Sequence, residues 1–159
     1  MASPLHVSRS RTFPIALAEA YERTLAWPLP ELFEARYGPI PPITSTDQEG
    51  EWGTVGQVRT IHTGDGGSMR ERLVRVDPPN VFAYEITELT GPMKGLASLI
   101  EGTWAFEEVG TGCRITWSWT IHPKSSASGV ALPVFGRLWK AYASRALDHL
   151  EDLLLTPAA

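Results

Sequence analysis

An arginine and a glutamate on neighbouring predicted strands are the residues best placed to do chemistry in this sequence. Arg59 lies on the segment 55–62 and Glu71 on the segment that follows the turn TGDGG at 63–67. Because strand side chains alternate between two faces, the hairpin sets Arg59 against Glu71. A guanidinium and a carboxylate can form a bidentate pair, which an apolar cavity tolerates. Two alternatives stay open: an inward-facing pair that serves a ligand, and a cross-strand ion pair on the solvated face.

A histidine in the last predicted helix is a second candidate for acid–base chemistry. His149 follows Tyr142 and Ala146 at helical spacing, within an apolar stripe. An imidazole facing a ligand could act as a general acid or base. A lone histidine in such a stripe is more often a hydrogen-bonded core residue, and this is the interpretation we favour.

The other histidines and the single cysteine predict no metal site and no cofactor. His6, His62 and His122 have no carboxylate or cysteine partner at metal-ligand spacing. The segment around Cys113 matches no catalytic cysteine motif, so its thiol is expected to be a small buried hydrophobe. With one cysteine and no signal-like apolar stretch at the start of the sequence, we expect a reduced, cytoplasmic setting.

Charge and hydropathy exclude two classes of partner. The net charge is −4 and the 14 basic residues are scattered, so the sequence predicts no nucleic-acid binding. No stretch approaches the roughly 20 apolar residues that a bilayer-spanning helix needs, so we expect no integral membrane association. Nothing in the sequence predicts an oligomeric state.

The elements that must position these residues form an α+β pattern in one domain, residues 1–159. Residues 5–13 predict a strand, and two short helices follow, the second over 29–38 with Gly38 as its C-terminal cap. From about residue 43 to 122, alternating apolar segments separated by turns predict an antiparallel meander. The Ser- and Gly-rich segment KSSASG then connects to a long amphipathic helix, Val134 to Leu154.

The segment VGQVRTIHTGDGGSMRERLVRVDPPNVFAYEI, residues 55–86, carries a resemblance to a known family. Its V-G-x-x-R strand, Gly-rich turn, R-E-R-L strand, D-P-P turn and F-x-Y strand, together with GTGCRITWSW at 110–119, resemble the polyketide cyclase/dehydrase branch of the START-like, or Bet v 1-like, helix-grip superfamily (SRPBCC). The resemblance implies a seven-stranded curved antiparallel sheet wrapped around a long C-terminal helix, with two short helices after strand 1. It also implies a cavity, open at one end, for an apolar ligand.

In that architecture the aromatic side chains face the interior, where they either line a cavity or pack into a solid core. Trp117 and Trp119 share one face of a strand. Aromatic linings are usual for small-molecule pockets, so we favour the cavity. We expect its mouth at the loop around Met93 and the connection 125–133. The expected ligand-binding residues are Arg59, Glu71, Tyr84, Trp104, Phe106, Trp117, Trp119, Trp139 and Tyr142.

Three functions fit these expectations. The first is binding of a small apolar or aromatic molecule, lipid- or polyketide-like, without chemistry. The second is a polyketide cyclase or dehydratase reaction in which Arg59, Glu71, Tyr84 or His149 moves protons on a poly-β-carbonyl substrate. The third, a module that binds partner proteins, ranks last because the outer sheet face is mostly polar. Neither of the first two is excluded by the sequence.

Overall fold

Seven antiparallel strands form one sheet in the computed structural model, which describes residues 3–156. The strands are β1 (Leu5–Phe13), β2 (Ile43–Asp47), β3 (Val58–Thr63), β4 (Ser68–Asp77), β5 (Val81–Thr87), β6 (Ala97–Val109) and β7 (Gly112–Pro123). They lie side by side in the order β1-β7-β6-β5-β4-β3-β2. The helices are α1 (Leu17–Ala26), α2 (Leu29–Leu32) and α3 (Ser126–Leu155), with a 3-10 turn at Gly91–Met93. The predicted helix-grip architecture is confirmed.

Period-two alternation decides which side chains of the central strands reach the interior. On β6, Ile100, Trp104 and Phe106 are buried, whereas Glu101 and Glu107 are exposed. Each residue of this strand between 99 and 109 is paired in register with β7. These two strands therefore direct their apolar side chains into the interior, which α3 covers.

The long helix begins earlier than its sequence pattern predicted. It starts at Ser126, where Ser125 accepts a hydrogen bond from the Ser128 backbone N–H at 3.2 Å in a reciprocal capping box, and it continues through Pro133. The expected connection KSSASG is therefore largely its first turn. Across residues 3–156, no helix combines the length and apolar character needed to cross a membrane.

The second short helix ends earlier than predicted, at Leu32. The Phe33 carbonyl accepts the backbone N–H of Ile43 at 2.9 Å, so it is turned toward β2 instead of continuing the helical ladder. Gly38, expected as the helix cap, has a φ of +55° and lies in the turn closed by the bridge between Tyr37 and Ile40. The segment after α2 consequently covers the edge of the sheet as a loop.

Candidate functional site

A cavity of about 80 Å³ lies between the sheet and α3. It is about half the size of the roughly 150 Å³ engineered cavity that binds benzene. Its walls come from α1, α2, α3 and strands β2 to β7, and they are predominantly aliphatic and aromatic. Among the described residues that line it, Arg59 and Glu71 are the charged ones.

Arg59 and Glu71 face the interior, which decides between the two alternatives left open by the sequence. They are directly opposite each other on β3 and β4, and Arg59 Nε donates to Glu71 Oε1 at 2.5 Å. Their side chains are only 6% and 5% exposed. The register irregularity of β4 falls between Leu73 and Arg75, beyond the pair, so it does not alter their facing.

The Arg59 guanidinium is also covered by an aromatic ring that the sequence did not single out. Its Cζ lies 4.0 Å from the centroid of Trp52, in the loop between β2 and β3, and Nη1 is 3.4 Å from Gln48 Oε1. Gln57 shapes this loop, because its Oε1 accepts the backbone N–H groups of residues 53 and 54 at 2.7 and 2.6 Å. A cation over an indole face is stabilised electrostatically. A tryptophan within a mostly polar and Gly-containing loop was the sequence signal that could have identified Trp52.

Burial raises the pKa of Glu71, and the charge and hydrogen bond of Arg59 oppose that rise. Arg59 engages Oε1 alone, and within the described part of the chain no hydrogen bond reaches Oε2. The second oxygen is therefore an available acceptor beside the cavity. A carboxylate with a raised pKa in such a place can orient a polar group or exchange a proton.

Tyr84 accepts hydrogen bonds from two tryptophans at once. Its hydroxyl oxygen lies 2.9 Å from Trp117 Nε1 and 2.8 Å from Trp119 Nε1. Burial raises the pKa of Tyr84 above its ordinary value, so the phenol is neutral. Gly102, on the strand between them, leaves the space that the Tyr84 ring occupies. Sequence reasoning missed Gly102, although a glycine inside an alternating strand often marks a close approach of another group.

The tryptophans pack on one another instead of facing each other across an open cavity. The rings of Trp104 and Trp117 are stacked with centroids 4.9 Å apart, and Trp139 of α3 lies 5.0 Å from Trp117 and 5.5 Å from Trp119. We call Trp104, Trp117, Trp119 and Trp139 the tryptophan cluster. All four also line the cavity, as does Tyr142. The interior is thus a packed aromatic cluster with a small cavity along one side.

Phe106 lies away from the cavity, contrary to its predicted place in the wall. Its ring packs edge-to-face on Tyr21 of α1, with centroids 5.2 Å apart, and against Phe82 at 5.9 Å. Although it shares the inward face of β6 with Trp104, it is farther along the strand, where α1 covers the sheet. An inward-facing position on the strand is therefore not enough to place a side chain in the cavity wall.

His149 is likewise outside the cavity. Its Nε2 is 3.0 Å from the backbone oxygen of Glu31 and 3.5 Å from Glu34 Oε1, and its side chain is about one-third exposed. It borders a separate depression of about 200 Å³ between α3 and the segment 32–37. Residue 149 lies on the side of α3 that faces α2, and not on the side that faces the sheet.

Of the two segments expected at the mouth, one reaches the cavity. Met93 is partly buried and lines it. None of residues 125–133 does, because residues 126–133 form the opening turns of α3, and Phe135 takes that position instead. Met69, on β4, is the second methionine in the wall.

Residues 4–154 match the family described as polyketide cyclase/dehydrase and lipid transport. The chain belongs to this family. The match covers nearly the whole sequence, including both segments that carried the resemblance. No curated protein sequence matches the chain closely enough to count as a relative.

Solved structures share the fold of this family member at low sequence identity. Norcoclaurine synthase from Thalictrum flavum, in complex with dopamine and hydroxybenzaldehyde, superposes with a TM-score of 0.72 at 16% identity, covering 99% of this chain and 90% of the other. Ara h 8.0201 gives 0.68 at 20% identity, with 97% and 99% covered. Protein Ms6760 from Mycobacterium smegmatis gives 0.64 at 17%, with 98% and 93% covered. At these identities the likeness shows the Bet v 1-like fold alone.

Proposed function

We propose that this protein binds a small apolar or aromatic molecule, lipid- or polyketide-like, whose polar end lies beside Arg59 and Glu71. The observation that carries the proposal is the buried ion pair, which supplies the charged groups among the described residues of a predominantly apolar lining. A buried pair is often no more stabilising than apolar residues of the same size. A ligand group that hydrogen-bonds the pair gives a reason for its place in the cavity wall.

Ligand entry requires the wall to move, because about 80 Å³ is smaller than a benzene-binding cavity. The wall contains side chains that can do so: Met69, Met93 and Phe135 are partly buried, not fully enclosed. Methionine is unbranched and adapts to the shape of its neighbours. Binding of an aromatic ligand is therefore expected to enlarge the cavity.

The comparison structures give secondary support for an aromatic ligand. Norcoclaurine synthase, which has the same fold, was solved with two small aromatic molecules, dopamine and hydroxybenzaldehyde. Analogy of fold does not carry a substrate from one protein to another. It does support the choice of small aromatic carbonyl compounds as test ligands.

A cyclase or dehydratase reaction on a poly-β-carbonyl substrate is the second candidate. The observation that favours it is that burial raises the pKa of Glu71 beside the cavity, and a carboxyl group with a raised pKa is a better proton donor and acceptor than an ordinary one. Arg59 and Tyr84 would then hold the substrate's oxygens. Incubation with a poly-β-ketone distinguishes the two functions: a binder releases the compound unchanged, whereas an enzyme converts it, and Glu71→Gln then loses turnover while still holding substrate.

Isothermal titration calorimetry with acetophenone tests binding in the cavity directly. Ile61→Phe adds a ring to a buried position of the wall, and Val130→Phe adds the same ring at an exposed position of α3 that is 80% accessible. We expect wild type and Val130→Phe to bind alike, and Ile61→Phe to lose at least tenfold in affinity because the ring occupies the site. Equal affinity in all three proteins would overturn the proposed site.

A further inference from the structure

We propose that Tyr84 selects the ligand by acting as a dedicated hydrogen-bond donor, and that the group it recognises is a carbonyl oxygen. The inference rests on the proposed function, because it specifies the chemistry of the polar end that the cavity accepts. The donor role follows from the hydrogen bonds that the Tyr84 hydroxyl oxygen accepts within the protein.

The hydroxyl oxygen of Tyr84 has no acceptor capacity left to offer. It receives the indole N–H groups of both Trp117 and Trp119, at 2.9 and 2.8 Å. A phenolic oxygen with two donors directed at it can only donate in any further hydrogen bond. Among residues 3–156, those two contacts are the hydrogen bonds that its oxygen makes, so the O–H proton has no acceptor there.

The geometry of three adjacent strands fixes this arrangement. Tyr84 of β5 is paired with Gly102 of β6, which is in turn paired with Trp119 of β7. A side chain at residue 102 would collide with the Tyr84 ring, so glycine lets the ring extend across β6 to the indoles. The donor is thus held by the backbone register as well as by its partners.

Several other polar groups in the cavity wall are donors. Within residues 3–156, the indole nitrogens of Trp139 and Trp27, which can only donate, and the hydroxyl of Thr24, which can donate or accept, are buried without a hydrogen-bond partner. All three residues belong to the cavity wall. Arg59 adds a guanidinium, and Glu71 is the one anionic acceptor. A buried donor without a partner is unfavourable. A ligand rich in acceptors, such as a ketone or a polyketone, therefore fits this wall better than one rich in donors.

A matched ligand pair tests the selection. Acetophenone and ethylbenzene have nearly the same shape, and only acetophenone has a carbonyl oxygen. In calorimetric titrations of the wild-type protein we expect acetophenone to bind about tenfold more tightly, and Tyr84→Phe to remove most of that preference. Tyr21→Phe is the control, because Tyr21 is also buried but donates to the Val81 carbonyl at 3.0 Å outside the cavity; we expect it to keep the preference.

The carbonyl stretch of bound acetophenone labelled with carbon-13 gives an independent readout. A hydrogen bond lowers this frequency, so we expect it to be lower in the wild type and in Tyr21→Phe than in Tyr84→Phe. If both ligands bind equally to the wild type, or the frequency is unchanged by Tyr84→Phe, the inference is overturned and the proposed function stands. If neither ligand binds the wild type, the proposed function is overturned as well.

If Tyr84→Phe does not fold, the wild-type protein alone decides. A bound carbonyl with the frequency it has in an apolar solvent, or an equal affinity for the two ligands, would overturn the inference. A lowered frequency in the wild type that rises part of the way back in Trp119→Phe, where the Tyr84 oxygen loses one of its two donors, would support it, and an unchanged frequency in Trp119→Phe would assign the bond to another donor and overturn it.

Discussion

The ring of Tyr84 lies over Gly102, its antiparallel partner on β6, in the volume that a β-carbon at residue 102 would fill. This contact allows one tyrosine to reach two indoles on the strand beyond. The position of the Tyr84 hydroxyl therefore depends on a residue with no side chain.

Replacing Gly102 with alanine should displace Tyr84 and break its hydrogen bonds to Trp117 and Trp119. We expect a loss of about 1–3 kcal/mol in the free energy of unfolding, the usual cost of overpacking. We also expect two of the indole N–H resonances, from the 6 tryptophans, to shift in nitrogen-15 correlation spectra.

Gly95→Ala is the matched control, since nothing lies within 4 Å of a β-carbon built there. It should change neither stability nor the indole signals. Unchanged indole resonances in Gly102→Ala would show that Tyr84 does not depend on this glycine.

The Arg59–Glu71 pair should be strongly coupled in stability. Arg59→Met leaves a buried carboxylate without its cation, which costs about 3–5 kcal/mol, and adding Glu71→Leu should recover much of that loss. Chemical denaturation of the two single variants and the double variant measures the coupling.

An exposed arginine–glutamate pair, with Arg70 on β4 and Glu88 directly after β5, provides the comparison. Arg70 and Glu88 are 3.4 Å apart with side chains 54% and 67% exposed, so Arg70→Met should cost only about 0–1 kcal/mol. Equal effects of Arg59→Met and Arg70→Met would mean that the interior pair is not desolvated.

The cost of Arg59→Met should depend on pH. Burial already raises the pKa of Glu71, and removing Arg59 raises it further, above the value of about 4.3 in an unfolded chain. Between these two pKa values the folded variant binds more protons than the unfolded chain. Its stability therefore falls as the pH rises from the pKa of the unfolded chain to that of the folded variant.

Urea denaturation between about pH 4.5 and 8 measures this dependence. The stability difference between wild type and Arg59→Met should be smallest in acid and largest near neutrality. Adding Glu71→Gln should flatten the profile. A difference that is constant with pH would contradict the assignment to Glu71.

His149→Gln should leave ligand affinity unchanged, because His149 contacts the Glu31 carbonyl and not the cavity. We expect a destabilisation of about 0.5–1.5 kcal/mol from the weakened hydrogen bond. Titration with acetophenone checks the affinity. A tenfold loss of affinity for acetophenone would show that His149 contributes to ligand binding.

Alternation along the strands was enough to predict the sheet and the inward face of β5, β6 and β7. The first strand has the predicted bounds, Leu5–Phe13. Strand alternation placed Arg59 opposite Glu71, but the choice of face required the three-dimensional sheet. A period of two assigns residues to faces without saying which face the helix covers.

The remaining errors arise where tertiary contacts override local patterns. The first turns of α3 are Ser- and Gly-rich and were predicted as a connection, yet the Ser125–Ser128 capping box starts the helix there. Whether the rings of Trp104 and Trp117 stack or leave a cavity between them depends on their side-chain rotamers and on the distance between α3 and the sheet. Neither quantity is encoded in the spacing of residues along a strand.

The most direct test of the account is an isotope-filtered nuclear Overhauser spectrum of the wild-type protein saturated with acetophenone. We expect contacts from the ligand to Ile61, Met69, Ile100 and Tyr84, all in the cavity wall, and to the Nε proton of Arg59. Contacts confined to the depression around His149, or none at saturating concentration, would contradict the claim that the cavity beside Arg59 and Glu71 is the binding site.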